Sequence, residues 1–242
     1  YQKLKFLSNN DEIRKEVNTE IYLGGLLDKG SGHLQPMKYL QGLASAAKGL
    51  GVKIFEFTPI TQISNEKFPE LKTNKNFIIK AKTILLCGNA YLENISSREM
   101  RNKIAKVSTS VLATLPLEKK LAKELIPNNV AVADCNVALD YFRLDKKERM
   151  IFGGRSSYLN INPKDVKPIL IKRMIRVFPN LHYAEIEKVW SGTVGITLNR
   201  IPHFGFIDKN ILFVQGYSGH GVALTALAGK VMAEAINNET NR

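Results

Sequence analysis

Apolar and polar positions recur with two different periods along the chain, and the places where the period changes mark its elements. Residues 10–19 are polar and read as a short exposed helix, with Asn9 or Asn10 as its N-cap. Ile21 to Leu27 reads as a strand holding a glycine pair, followed by the loop Asp28–Gly32. Pro36 then opens a helix in its first turn, where a missing N–H costs nothing. From Met37 to Gly49 this helix places Leu40, Leu43, Ala44 and Ala47 on one face, the spacing of a buried stripe, and Gly49 and Gly51 close it. Val52 to Phe57 alternates with period two and predicts a strand that continues through Thr58 to Ile63. A polar hairpin near residues 65–67 and 72–76 leads into a strand over 77–82. Thr83 to Cys87 is a continuous apolar run, as in a parallel-sheet strand covered on both faces, and it ends at Gly88-Asn89-Ala90.

Beyond Tyr91 short strands dominate, over 106–115, 130–134, 138–144 and 150–153, with helices near 118–126 and 164–178. This pattern predicts a mostly antiparallel sheet with helices on one side. The last elements are an apolar strand, Ile211 to Val214, and an Ala-rich helix without proline, Val222 to Ile236. The fold class is therefore mixed, α/β with α+β character. No repeat, low-complexity tract or linker separates the two kinds of structure, so the units are interleaved. The expected segments are 1–32, 33–90, 91–190 and 191–242, with the second and fourth forming one unit and the first and third the other.

Between the last strand and helix runs Gly216-Tyr217-Ser218-Gly219-His220-Gly221-Val222. Three glycines in six residues leave room for a ligand against the backbone, and a helix N-terminus faces it with unpaired N–H groups. Three readings compete: a glycine-rich junction needed only for packing, a serine nucleophile elbow, and a cofactor site. The elbow needs Gly two residues after Ser218, and His220 stands there, with no carboxylate or second histidine placed to complete a triad. The Gly88-Asn89 strand end is a second candidate site edge, since ligands of open α/β sheets lie beyond the carboxyl ends of strands.

The net charge of +13 changes this picture little: 25 of the 35 basic residues are Lys, spread along the whole length with no block beyond the pairs at Lys119 and Lys146. A clustered patch would mark a nucleic-acid reader, so no nucleic-acid partner is expected. Cys87 and Cys135 are far apart, read as buried small hydrophobes, and with four scattered histidines give no metal-ligand spacing. No apolar run approaches the length of a membrane span. A reduced, cytoplasmic protein is expected. The start at Tyr1 predicts a fragment, a processed product or a trimmed chain.

Four stretches carry a resemblance. They are Gly24-Gly25-Leu26-Leu27-Asp28-Lys29-Gly30-Ser31-Gly32-His33-Leu34-Gln35-Pro36, Phe152-Gly153-Gly154-Arg155, Trp190 to Gly195, and Gly216 to Gly229. In this order they resemble the FAD-dependent amine and amino-acid oxidoreductases of the D-amino-acid-oxidase superfamily, and within it the gamma-glutamylputrescine oxidoreductase group. The resemblance implies an α/β FAD-binding part interleaved with an antiparallel substrate sheet. It implies FAD contacts at Thr58 and Ile60 on the adenine side and at Cys87, Gly88 and Asn89 near the cofactor. It also places Gly216, Tyr217, Ser218, Gly219, His220, Gly221 and Val222 beside the flavin ring, His220 through its backbone. Arg155, Trp190 and Val194 are the substrate-side positions. Trp190 reads rather as a packed aromatic and His33 as a loop cap; Arg143 and Arg155 are candidate substrate contacts, yet solvated or structural ion pairs are the commoner fate of arginines on such sheets. No catalytic acid or base is assigned, and no metal.

The family opens with a strand and Gly-x-Gly-x-x-Gly that holds the FAD pyrophosphate, and no such pattern occurs in this chain. The resemblance therefore implies the distal part of an oxidoreductase, with that motif on a missing N-terminal segment, and an inactive chain when alone. No cysteine follows Cys135, so non-covalent FAD is expected. Relatives that oxidise amino acids carry arginine in a Trp-x-Gly-x-Arg-Pro pattern, where this chain has Val194, and some carry a second arginine where it has Gly219. The implied substrate is thus a small-molecule amine without a carboxylate at the reacting carbon. A non-catalytic fragment or subunit offering an interaction surface is the alternative.

Overall fold

The computed structural model describes residues 3–65, 68–92, 95, 98–157 and 162–237, with backbone alone at Arg98, Glu99, Arg155 and Ser156. The chain forms two compact units, 1–39 with 108–192 and 40–107 with 193–242. These divisions differ from the 32/33, 90/91 and 190/191 points expected at glycine-rich loops. They fall inside a helix, Pro36–Gly49, and inside two long strands, Ala105–Thr114 and Ile186–Ile196, so that single elements are shared by both units.

The first unit begins with β1 (Leu4–Leu7), α1 (Asn10–Arg14) and β2 (Gly25–Asp28), and β1 pairs antiparallel with β2. Asn9 caps α1, its Oδ1 accepting from Glu12 N at 3.0 Å. The helix is shorter than the polar stretch 10–19, and the strand starts at Gly25, not Ile21, because only residues 25–28 face β1. α2 (Pro36–Gly49) follows as the period predicts.

A sheet of order β11-β7-β10-β9-β8 dominates this unit. It is formed by β7 (Ala105–Thr114), β8 (Val132–Ala133), β9 (Tyr141–Leu144), β10 (Met150–Ser157) and β11 (Ile186–Ile196). The pairs β7–β10, β9–β10 and β8–β9 are antiparallel. Alternation sorts the two faces. Leu112, Phe142, Leu144, Met150 and Phe152 point into the core, and α5 (Pro163–Val177) lays Val166, Leu170, Met174 and Val177 over them. Phe142 stacks on Phe152 at 5.6 Å and meets Phe178 edge-on at 5.2 Å. Each such side chain, fully buried, contributes about 1.5–3 kcal/mol. Asn162 caps α5 through Lys164 N at 2.9 Å, and Pro163 takes the first helical position. α4 (Lys119–Leu125) adds Ala122 and Leu125 to the same core. Asp140 and Arg173 bind the edge of the sheet to α5 at 2.5 Å.

The second unit has three layers. A small meander joins β3 (Ile60–Asn65), β4 (Pro69–Thr73) and β5 (Ile78–Lys80), all antiparallel. Beside it lies a sheet of order β12-β13-β6, from β6 (Ile84–Leu86), β12 (His203–Asp208) and β13 (Ile211–Gln215). As its apolar run predicts, β6 pairs parallel with β13, Ile84 opposite Ile211 and Leu86 opposite Phe213. Ile84, Leu86, Ile211 and Phe213 pack toward Ile63 and Leu71 of the meander, together with Met100 of α3 (Arg98–Arg101). Leu212 and Val214 face the other way, onto Ala228 and Met232 of α6 (Gly221–Ile236).

Four further expectations fail. No strand forms over 52–59: Phe57 is left-handed at φ 52, and Val52, Ile54, Phe55 and Phe57 lie exposed without a partner strand. The apolar stripe of α2 is not buried; Leu40 and Leu43 are 59% and 51% exposed, because nothing in the described residues covers that face. Cys87 and Cys135 are exposed, one where β6 leaves its sheet and the other in the loop between β8 and β9. His33 does not cap its own loop; its Nε2 lies 2.8 Å from the Asn129 carbonyl and its Nδ1 3.4 Å from Arg143.

Candidate functional site

The end of β13 turns into α6 through residues held by their neighbours on both sides. Gln215, fully buried, donates from Nε2 to the Met100 carbonyl at 2.9 Å and lies 3.2 Å from His203 Nδ1. Gly216 follows at φ +74, and a Cβ on it would stand 2.4 Å from Thr197 Cγ2, so both conformation and space demand glycine. Ser218 (φ 52) and Gly219 (φ +89) continue the left-handed path. Glycine suits that path, and Ser218 adopts it because its groups are all used. Its N donates to the Gly195 carbonyl at 3.0 Å. Its Oγ donates to the Gly216 carbonyl and accepts from Thr197 N, both at 3.2 Å. At 6% exposure its hydroxyl is a structural staple, which removes the nucleophile reading. Tyr217 is likewise packed inward with Leu212 and Ala228, and burial pushes its phenol up.

The turn's N–H groups divide into two sets. Those of Gly216, Ser218 and His220 have acceptors within the protein, His220 N donating to the Tyr217 carbonyl at 2.9 Å. The His220 backbone N–H is therefore not free for a ligand, and its ring Nδ1 lies 3.2 Å from the Ser218 carbonyl. Those of Tyr217, Gly219, Gly221, Val222 and Ala223 have no acceptor among the described residues, the last four of them at or beside the start of α6, and no side chain caps that helix. A Cβ at Gly219 would meet nothing within 4 Å. Four free donors, the positive end of a 16-residue helix and open space above a glycine fit an electron-rich edge of a flat ligand.

Beside this turn lies the end of β6. Gly88 and Asn89 follow Cys87, and Asn89 (φ 49) opens a short 3₁₀ turn, Asn89–Tyr91. Asn89 Oδ1 accepts from Gly216 N at 2.8 Å, so the two strand ends marked by the sequence meet. Desolvation pushes the Cys87 thiol up, although the residue is exposed, and the sulfur stays protonated at neutral pH. Tyr91 Oη accepts from Thr193 N at 2.8 Å. Val194 is half-buried on β11, one residue before buried Gly195. Thr58 sits before β3 with its Oγ1 donating to the Glu56 carbonyl, and Ile60 opens that strand; neither touches the turn.

The first unit offers its own open face, opposite α5. Tyr141 and Arg143 alternate with buried Phe142 and Leu144. The Tyr141 hydroxyl lies 3.1 Å from Thr109 Oγ1, and burial pushes its phenol up. Trp190, expected to be packed, is 44% exposed with no ring partner among the described residues, since its neighbours Val189 and Ser191 face the core side instead. The Arg155 backbone sits at a register shift of β10, and its side chain lies outside the described residues. Thr197, the β12–β13 hairpin and the bond from Asn89 to Gly216 were not foreseen, although Asn89 itself was marked as a site edge. His203-Phe204-Gly205-Phe206 before Asp208-Lys209-Asn210 was the available hairpin signal.

Comparisons with known proteins bear on the chain as a whole. A family model described as "FAD dependent oxidoreductase" (DAO) matches residues 2–235. The chain is 40% identical over 246 residues to "Probable oxidoreductase OrdL" of Haemophilus influenzae. It is 37% identical over 241 residues to "Gamma-glutamylputrescine oxidoreductase" of Escherichia coli. In both cases all of this chain and 56% of the relative are covered, so it spans about half the length of these curated relatives. Among solved structures, L-proline dehydrogenase from P. horikoshii superposes with a TM-score of 0.82 at 21% identity, over 99% of this chain and 66% of that one. At that identity the likeness shows the fold alone.

Proposed function

Since the chain belongs to the DAO family of FAD-dependent oxidoreductases, we propose that it supplies the flavin-ring and substrate sides of an enzyme that oxidises an amine C–N bond. When bound, FAD supplies the hydride acceptor. The observation that carries this reading is the Gly219–Ala223 stretch, where four N–H groups have no acceptor among the described residues. The free N–H groups of Gly219, Gly221, Val222 and Ala223, with the α6 dipole, favour negative charge on the edge of a ring laid over Gly219. Tyr217 and Ser218 hold the turn from below and take no part in the chemistry. Thr58, Ile60, Cys87 and Gly88 belong to the remaining cofactor surface.

The substrate proposed is a terminal amine of the gamma-glutamylputrescine kind, with a place in polyamine catabolism in the cytoplasm. Support comes from the 37% identity to the Escherichia coli enzyme of that name and from Val194. A carboxylate against Val194 would lose its hydration for little return, at a cost of several kcal/mol, roughly. Arg155, Trp190 and Val194 are the substrate-side residues in this reading. Among the described residues no helix is long and apolar enough to cross a membrane. FAD is held non-covalently, and the pyrophosphate is received by a Gly-x-Gly-x-x-Gly segment outside these 242 residues, so this chain alone binds FAD weakly.

The test uses the full-length enzyme, offered glycine, sarcosine and D-alanine against putrescine derivatives. Preference for the putrescine derivatives is expected; preference for the amino acids overturns the substrate assignment. Acid precipitation should leave all flavin in the supernatant. The exposed stripe of α2 favours a second reading, a non-catalytic chain lending this face to another polypeptide, and a full-length protein without flavin absorbance would select it.

A further inference from the structure

Three separate stretches converge behind the glycine turn. Asn89 leaves β6 in the left-handed region, and its Oδ1 accepts from Gly216 N at 2.8 Å. β11 passes the same amide at Gly195, where a Cβ would stand only 2.5 Å from Asn89 Oδ1, so the missing side chain is what lets the amide reach Gly216. The Gly195 carbonyl in turn accepts from Ser218 N at 3.0 Å. One side-chain amide and one carbonyl thus fix two alternate N–H groups of the turn, and the free donors at Gly219 and beyond are left aimed at the open side. The acceptor at Asn89 is neutral. A carboxylate could accept the same hydrogen bond, but it would set a negative charge behind the positive end of α6 and oppose the field there.

We propose that Asn89 is a positioning residue for the flavin: its neutral amide holds the Gly216–Gly219 turn in register and leaves the field at the α6 N-terminus undiminished, which raises the reduction potential of the bound ring. The inference rests on the reading that the electron-rich edge of the ring lies over this turn. In this reading Asn89 acts through the placement of the turn and the charge behind it, its Oδ1 being taken up by Gly216 N.

The experiment uses the full-length flavoprotein and measures the flavin midpoint potential, FAD affinity by fluorescence and melting temperature for the wild type, Asn89→Asp and Val222→Asp. Val222 is exposed in the first turn of α6, so a charge there probes the site of the ring directly. The expected result is a shift of the two-electron reduction equilibrium toward oxidised flavin of about tenfold in Asn89→Asp, about 30 mV. FAD affinity should stay within about threefold in that variant, and Val222→Asp should shift the equilibrium in the same direction. A shift in Val222→Asp with none in Asn89→Asp overturns the role of Asn89 and leaves the ring reading standing. No shift in either variant overturns the ring reading and the proposal with it. A shift in Asn89→Asp alone overturns the route through the turn. Should Asn89→Asp not fold, Gly195→Ala displaces the amide without adding charge. It should weaken FAD binding about tenfold, and unchanged binding would overturn the proposal.

Discussion

Helices α2 and α5 differ by one residue in length and carry equally clear apolar stripes, yet one stripe is buried and the other lies open. Val166, Leu170, Met174 and Val177 of α5 are at most 1% exposed because the even-numbered residues of β7, β9 and β10 rise to meet them. Met37, Leu40 and Leu43 of α2 have no such layer among the described residues and remain half exposed. A 3.6-residue period states which face of a helix is apolar; it does not state what covers that face. Burial is a property of two elements, and only one of them is written in the helix.

The sharpest way to break the contrast is to truncate both stripes in the 242-residue chain and follow urea unfolding. Leu170→Ala should cost about 3 kcal/mol, the transfer and cavity terms together. Leu43→Ala should cost less than about 0.5 kcal/mol, as an exposed position does. A loss at Leu43 above about 2 kcal/mol would mean that the α2 face is covered in solution.

A smaller effect of opposite sign sharpens the buried side. Tyr22 packs against the α5 core with its hydroxyl buried and without a hydrogen-bond partner among the described residues. Tyr22→Phe should therefore stabilise the chain by about 1 kcal/mol, since it removes an unpaired polar group and keeps the ring. An unchanged or lowered unfolding midpoint would show that the hydroxyl finds a partner.

The smallest effect depends on pH. Partial burial pushes the Asp145 carboxyl up, but Arg149 and the N–H groups of Lys147 and Arg149 outweigh it and hold the carboxyl below the usual range. A depressed carboxyl contributes stability that is fully present above its unfolded value, near 4, and is lost as pH falls through the folded value. The difference in melting temperature between wild type and Asp145→Asn should be constant from pH 6 to 7 and shrink below about pH 4. A difference that persists undiminished at pH 2 would contradict the assignment.

Much of the fold was legible because its signals are local. The parallel strand β6 follows from an unbroken apolar run, and the start of α5 from Asn162 and Pro163. The glycine turn before α6 was equally plain. What the sequence hides is long-range. Nothing around Asn89 announces that its amide meets Gly216, and nothing in the alternation of 52–57 reveals that no strand lies beside it. Ser218 reads as a candidate nucleophile in a glycine-rich turn, whereas Thr197 and Gly195 turn it inward. Trp190 errs in the opposite direction, since its period-two position, not its size, decides its face.

The pairing of β6 with β13 has a consequence in time. The bond from Gly216 to Asn89 joins residues 127 positions apart, whereas β9 and β10 are joined by a tight turn. Contacts of such separation must close a long loop before they return any stabilisation, and they form late. The hairpin should acquire hydrogen-exchange protection early in refolding and the Gly216 amide last; simultaneous protection would refute that order. With this order the glycine turn is the final part of the chain to be completed, so the amide of Gly216 can serve as a clock for the end of folding.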